Sequence, residues 1–226
     1  HCMPRRTLIR SNTLPYHVTN QVNNRDHYPL DLTSTWKLFT QCLFETSIIH
    51  GARVHSLVLM PNHWHLVLRP GKDGEMGRLL RWVTATHTLR YHSHYQTAGE
   101  GHIYQSRFKS FPVASDEHFL VVCRYVERNP LRASLVDRAQ DWQYGSLWRW
   151  TQGAEPPPTL LSPWPIPRSP NGVERVNRAL TQKDLAAVRT SVQRGRPFGE
   201  ETWARQVAER SGLDYTFRSR GRPRKS

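Results

Sequence analysis

The sequence predicts an α+β fold: a ferredoxin-like sandwich with a central antiparallel sheet and flanking helices, plus a small helical C-terminal extension. Two observations predict it. Apolar periodicity alternates between the strand and helix repeats in the order strand, helix, strand, strand, helix, strand, helix, so the two element types are interspersed rather than segregated. The middle two strands are divided only by Pro61-Asn62, a turn dipeptide, which makes them an antiparallel hairpin.

Residues 14–22 (LPYHVTNQV) alternate apolar and polar and are rich in β-formers, predicting the first strand. Over 33–50, Trp36, Phe39 and Leu43 recur at helical spacing, with Thr33 or Ser34 as cap and Gly51 as stop. Residues 53–60 (RVHSLVLM) and 63–69 (HWHLVLR) form the hairpin. From Glu75 to about Tyr95, Met76, Leu79, Leu80, Val83 and His87 make one helical stripe. A loop follows at 96–101, then a strand or extended pair over 102–113. Ser115-Asp116-Glu117 places a cap and negative charge at the next helix start. Phe119, Leu120, Cys123 and Val126 form the buried stripe of that helix, and Pro130 ends or kinks it.

Seven prolines between Pro156 and Pro170 exclude a helix over 151–172 and predict an extended linker packed along a surface. Two short polar helices are expected at 173–193 and 200–211, and 218–226 (RSRGRPRKS) is too basic and too broken by Gly and Pro to fold alone. The chain thus divides into a domain over 3–150, a linker over 151–172 and a basic extension over 173–226. One short echo recurs: Arg194-Gly195-Arg196-Pro197 and Arg220-Gly221-Arg222-Pro223.

The 226 residues carry 32 Lys and Arg against 18 Asp and Glu, a net charge of +14. Such an excess, mostly Arg, favours a polyanion, and nucleic acid leads the partner classes; the plainer alternative is a well-solvated basic surface. No run reaches the ~18 apolar residues of a membrane span, and no segment pairs a basic with a continuous apolar face. Cys2, Cys42 and Cys123 are widely separated, which argues against a disulfide framework and a cysteine zinc site. The opening residues lack the apolar stretch of a secretion signal, so a cytosolic location is expected.

Two stretches carry candidate chemistry. In Pro61-Asn62-His63-Trp64-His65, strand alternation points His63 and His65 to one face and Trp64 to the other. Two imidazoles so placed can share a divalent metal, each with its second ring nitrogen oriented by an outer acceptor; ordinary half-buried histidines give the same pattern. In Cys123-Arg124-Tyr125-Val126-Glu127-Arg128-Asn129-Pro130, Tyr125 and Asn129 share a helix face beside the apolar stripe. A tyrosine packed at the core margin with its hydroxyl on water fits equally.

Together these stretches resemble the single-tyrosine transposases of the HUH nuclease superfamily, from Tyr16 to about Trp150. Pro61-Asn62-His63-Trp64-His65 is similar to the family's histidine–hydrophobic–histidine motif, and the context of Tyr125 (RYVERNPLRASLV) to its nucleophile helix. The linker, the stretch RGRPFG at 194–199 and the terminal RGRPRK resemble one branch, the REP-associated tyrosine transposases. The resemblance implies metal-dependent nicking and joining of single-stranded DNA at hairpin (REP, palindromic) sequences through a 5′-phosphotyrosine link. Tyr125 would be the nucleophile, and His63, His65 and Asn129 would hold Mg or Mn. The partners implied are single-stranded and hairpin DNA, in a bacterial, nucleoid-associated protein, monomer favoured over dimer. A non-catalytic DNA-binding regulator on the same fold is the alternative.

For DNA contact the candidates are the arm Arg5, Arg6 and Arg10, then Arg107 and Lys109, then Arg124 and Arg128 on the nucleophile helix. Arg194 and Arg196, with Arg220 and Arg222, resemble minor-groove hooks, whose plainer reading is a solubilising tail. Deleting 187–226 is therefore expected to weaken hairpin binding more than cleavage. No contacts are assigned to Gln21-Val22-Asn23-Asn24-Arg25-Asp26, where many relatives carry an Arg-Gly-Asn-like turn.

Overall fold

The computed structural model describes residues 11–22, 33–99, 101–152 and 160–218. Arg5, Arg6, Arg10, Arg220 and Arg222 lie outside the described residues, as does Cys2. The elements begin β1 (Tyr16–Gln21), α1 (Thr33–Ile49), β2 (Arg53–Met60), β3 (His63–Arg69), α2 (Glu75–Tyr95), β4 (Lys109–Pro112). This is the βαββαβ order, and the sheet runs β2-β3-β1-β4 with every pairing antiparallel. The predicted ferredoxin-like arrangement is therefore the observed one. The predicted strand over 102–113 shrinks to β4; its first half is irregular and meets the end of β1 through a bridge from Val22 to Tyr104 and the Gln105 amide on the Gln21 carbonyl.

The two faces of the sheet bury different partners. Tyr16, Val18, Leu57, Leu59, Trp64, Leu66 and Leu68 pack against Trp36, Phe39 and Leu43 of α1 and Leu79, Leu80 and Val83 of α2. On the opposite face, Val58, Met60, Val67, Phe111 and Val113 pack against α3 (Glu117–Glu127), through Phe119, Val122, Cys123 and Val126. A β-bulge between Val54 and Ser56 resets the alternation of β2, so that Ser56 reaches the α3 side. Helix α1 stops at Gly51, whose φ of 60° suits glycine. Thr33 and Ser34 are not caps: both lie within α1, and their hydroxyls bond those of Tyr144 and Tyr95. Asp116 does cap α3, its carboxylate accepting from the His118 amide at 2.8 Å. Pro130 stands in the first turn of a new short helix, α4 (Asn129–Arg132), after α3 has ended.

Beyond α5 (Ser146–Thr151), the proline-rich segment is extended from 160 onward and is held down by Trp164, whose Nε1–H donates to the His55 carbonyl at 2.7 Å. Arg168 then stacks on Trp164 at 3.8 Å and Trp150 at 4.6 Å and pairs with the buried Glu127 at 2.6 Å. The helix expected at 173–193 is two, α6 (Gly172–Asn177) and α7 (Gln182–Arg194), because Thr181 accepts from the Asp184 amide and restarts the chain. Of these elements and α8 (Glu201–Arg210), α7 shares the second core, while Val176 of α6 packs with Ala139 and Leu147 in a third. Leu180, Val188 and Phe198 are buried with the residues of α3 and β4. The amide of Phe198 donates to the Pro112 carbonyl, and the Ala114 amide to that of Phe198, which extends the sheet edge. Deleting 187–226 would therefore open the core, and its effects on binding and cleavage would not separate.

Candidate active site

The β3 strand puts His63 and His65 on the α3 side of the sheet, as alternation requires, with ring centroids 4.9 Å apart. Tyr125, on the underside of α3, faces His65 at 5.8 Å, nearly perpendicular at 84°. All three line one pocket of about 350 Å³ with Thr19, Gln21, Gln105, Arg107, Lys109 and Arg132. Residues sixty apart in sequence thus converge on one cavity because α3 lies across the face that carries His63 and His65.

The outer ring nitrogens explain how the histidines are held. His63 Nδ1–H donates to Asn62 Oδ1 at 2.7 Å, which leaves Nε2 as a lone pair. His65 Nδ1 meets Nε2 of His17 at 2.9 Å. His17 is fully buried on β1 and stacks on Phe111 at 4.8 Å. Burial pushes His63 down to about 4, with the Arg132 charge adding to it. Burial also holds His65 well below the ordinary range, and His17 and His63 lower it further. Both pocket imidazoles are therefore neutral at neutral pH, the form a metal requires. Among the described residues no group of three or more His, Cys, Asp or Glu side chains is placed to hold a metal. The donor set is two imidazoles, with further positions falling to amide, hydroxyl, water or phosphate oxygen. Two imidazoles whose Nε2 atoms take no hydrogen bond among the described residues, on the wall of a polar pocket, fit a divalent ion of the Mg or Mn type when phosphate and water complete the shell.

Asn129 is not brought to this pocket. It is fully buried, its Oδ1 accepts from Arg132, and its Nδ2 has no partner among the described residues. Arg132, which sequence reasoning did not single out, takes the place at the pocket wall and lies over the Tyr125 ring at 5.7 Å. His17 was missed as well. Its signal was the polar face His17-Thr19-Gln21 of β1, which the register sets beside His65 and His63.

The basic candidates sort into two groups. Arg107 and Lys109 line the pocket. Arg107 also borders a larger cleft of about 1450 Å³ that shares Asn20 and Ser106 with the pocket and includes Arg78, Arg81, His102 and Phe108. Arg124 and Arg128 turn the other way. Arg124 donates to the carbonyls of Arg178 and Ala179, and Arg128 to those of Val176 and Asn177. Their charges complete the carbonyl end of α6. The first Arg-Gly-Arg-Pro copy is likewise structural. Gly195 is the left-handed cap of α7, Arg194 donates to the Arg218 carbonyl, and Arg196 stacks on Phe217 at 3.9 Å.

No curated protein matches the chain significantly. Among solved structures, a REP-associated tyrosine transposase bound to a REP hairpin superposes with a TM-score of 0.54 at 18% identity, over 68% of this chain and 87% of that one. It shares the fold described above. A candidate transposase from Deinococcus radiodurans superposes at a TM-score of 0.39 and 14% identity, over 56% of this chain and 96% of the other. The family model described as "Transposase IS200 like" matches residues 10–129. That span exceeds half of the 226 residues and contains both the histidine pair and Tyr125. On that match, the chain belongs to the IS200-like transposase family.

Proposed function

We propose that this protein nicks and rejoins single-stranded DNA beside hairpins of palindromic, REP-like sequence, through a covalent link between Tyr125 and a 5′-phosphate. The observation that carries the reading is the convergence of two neutral imidazoles and a tyrosine ring on one cation-lined pocket. A resemblance in fold to a hairpin-bound transposase supports the class of substrate.

His63 and His65 would hold a divalent ion, Mg or Mn, through Nε2. When bound, the ion neutralises phosphate charge as a Lewis acid. Tyr125 Oη attacks phosphorus in line, a P–Oη bond forms, and the P–O3′ bond breaks. The electron pair leaves on the 3′ oxygen, which gains a proton, while the phenol proton passes to solvent. Arg132, over the Tyr125 ring at the pocket wall, would place a fixed positive charge near a phosphate held there. Lys109 and Arg107 hold the flanking backbone. The product is a phosphodiester of similar energy to the one broken, so a DNA 3′-hydroxyl reverses the step without a nucleotide cofactor. Asn129 joins the ligands only if its Oδ1 leaves Arg132. The neighbouring cleft, basic and with Phe108 at its wall, suits the strand leading to the pocket, since such strands are held by cations and aromatic faces.

The test mixes the protein and Mn²⁺ with an end-labelled hairpin oligonucleotide carrying single-stranded flanks, followed by a denaturing gel. Wild type is expected to retain label on the protein, and Tyr125→Phe to retain none. Nicking without an adduct, or nicking that persists in Tyr125→Phe, would assign the attack to water and overturn the reading.

A further inference from the structure

Three features remain besides the reacting groups. The apolar cavity of about 240 Å³ behind α3, between Trp150, Trp164 and Val176, has nothing that specifies an occupant. The large cleft along α2 belongs to the strand path already proposed. The third, His17, carries an inference of its own.

His17 lies on β1 opposite Val67, which makes His65 its diagonal neighbour across the β1–β3 pairing. Its ring is buried completely and stacked on Phe111, and it lies edge-on to Tyr125 at 6.2 Å. Its one hydrogen bond among the described residues is Nε2 to His65 Nδ1, and its own Nδ1 is buried without a partner. An apolar side chain would fill this core position without leaving an orphaned nitrogen. Buried unpaired polar atoms cost on the order of 1–3 kcal/mol, so packing alone does not account for histidine here.

We infer that His17 is a positioning residue that fixes the tautomer and ring orientation of His65. This rests on the proposed metal site. For His65 to offer a lone pair at Nε2, its proton must sit on Nδ1 and be donated to Nε2 of His17. His17 must then carry its own proton on Nδ1, an N–H left without an acceptor among the described residues as the cost of the arrangement. Asn62 does the same for His63 through Oδ1, so each pocket imidazole has one dedicated acceptor behind it. The His17 acceptor is a neutral ring that adds no charge behind the ligand.

The experiment compares His17→Leu with His17→Gln, whose Oε1 can accept from His65 Nδ1–H. Mn²⁺ affinity is read from the free-ion EPR signal without DNA, and folding from thermal melts. His17→Leu is expected to bind Mn²⁺ about 10–100-fold more weakly at an unchanged or higher melting temperature, and His17→Gln to recover most of the affinity. Single-turnover nicking by His17→Leu should return as Mn²⁺ is raised. Wild-type affinity in His17→Leu would overturn the inference, as would equal loss in both variants. Absence of Mn²⁺ binding by wild type would instead overturn the metal site itself.

Discussion

Arg132 is the residue on which the pocket's chemistry turns. It stands one turn past α3, closes the wall beside Tyr125 and holds the Asn129 oxygen out of the cavity. If its charge meets the phosphate in the transition state, Arg132→Ala lowers the single-turnover nicking rate by about 10²-fold while DNA affinity changes far less. A rate within twofold of wild type would remove Arg132 from the mechanism. The two-residue strand repeat put His63 and His65 on one face and the helix stripe put Tyr125 at its edge, but it was the family resemblance that joined the three into one site. His17 and Arg132 were not singled out. Their roles come from a strand register and a helix break that bring distant residues together; the polar face of β1 marks His17 as facing away from the apolar side but not what it meets, and Arg132 leaves no local pattern. Asn129 illustrates the converse: its spacing from Tyr125 placed it on the right helix face, but α3 ends at Glu127 and the chain turns before that face can continue.

At the scale of elements, α3 is a divider with chemistry on one side and support on the other. Arg124 and Arg128 fasten α6, and Glu127 holds Arg168 under Trp164 with Ser146 at 3.1 Å. In sequence, an arginine that staples carbonyls fifty residues away reads the same as one that grips phosphate, so a place on the helix of Tyr125 did not separate the two roles. Arg124→Ala and Arg128→Ala are each expected to cost about 1 kcal/mol of stability in urea unfolding, with the salt dependence of DNA binding unchanged. Arg107→Ala should leave stability unchanged and reduce the slope of log affinity against log salt by about 1. The reverse pattern would return Arg124 and Arg128 to the DNA interface. Glu127→Ala strips the counter-charge from Arg168 and should cost about 3 kcal/mol; a loss below 1 kcal/mol would mean that solvent takes over the guanidinium.

For the whole molecule, the sheet was the most legible feature, because the hairpin at Pro61-Asn62 and the helix stripes on either side leave few ways to order four strands. The C-terminal extension was the least legible: its polar sequence conceals Val188 and Phe198, which enter the main core. A second global property follows from the buried histidines. Burial holds His17 at about 3 and His63 and His87 at about 4, and lowers His55 and His65. Unfolded histidine titrates near ~6.5, so between pH 6.5 and 4 the unfolded chain binds more protons than the folded one. Stability is therefore full above pH 6.5 and falls as pH drops, by up to about 1.4 kcal/mol per pH unit for each group. Melting temperatures recorded with chelator should decline steeply below pH 6.5; a melting temperature constant down to pH 5 would show that these rings protonate in place.

The most direct test of the central claim is mass spectrometry of the peptide containing residue 125, after reaction of the protein with Mn²⁺ and a hairpin oligonucleotide and digestion of the bound DNA. A nucleotide mass attached through its 5′-phosphate to Tyr125 is the predicted result. An unmodified Tyr125 peptide in a reaction that has nicked its DNA, or the nucleotide found on another side chain, would contradict it.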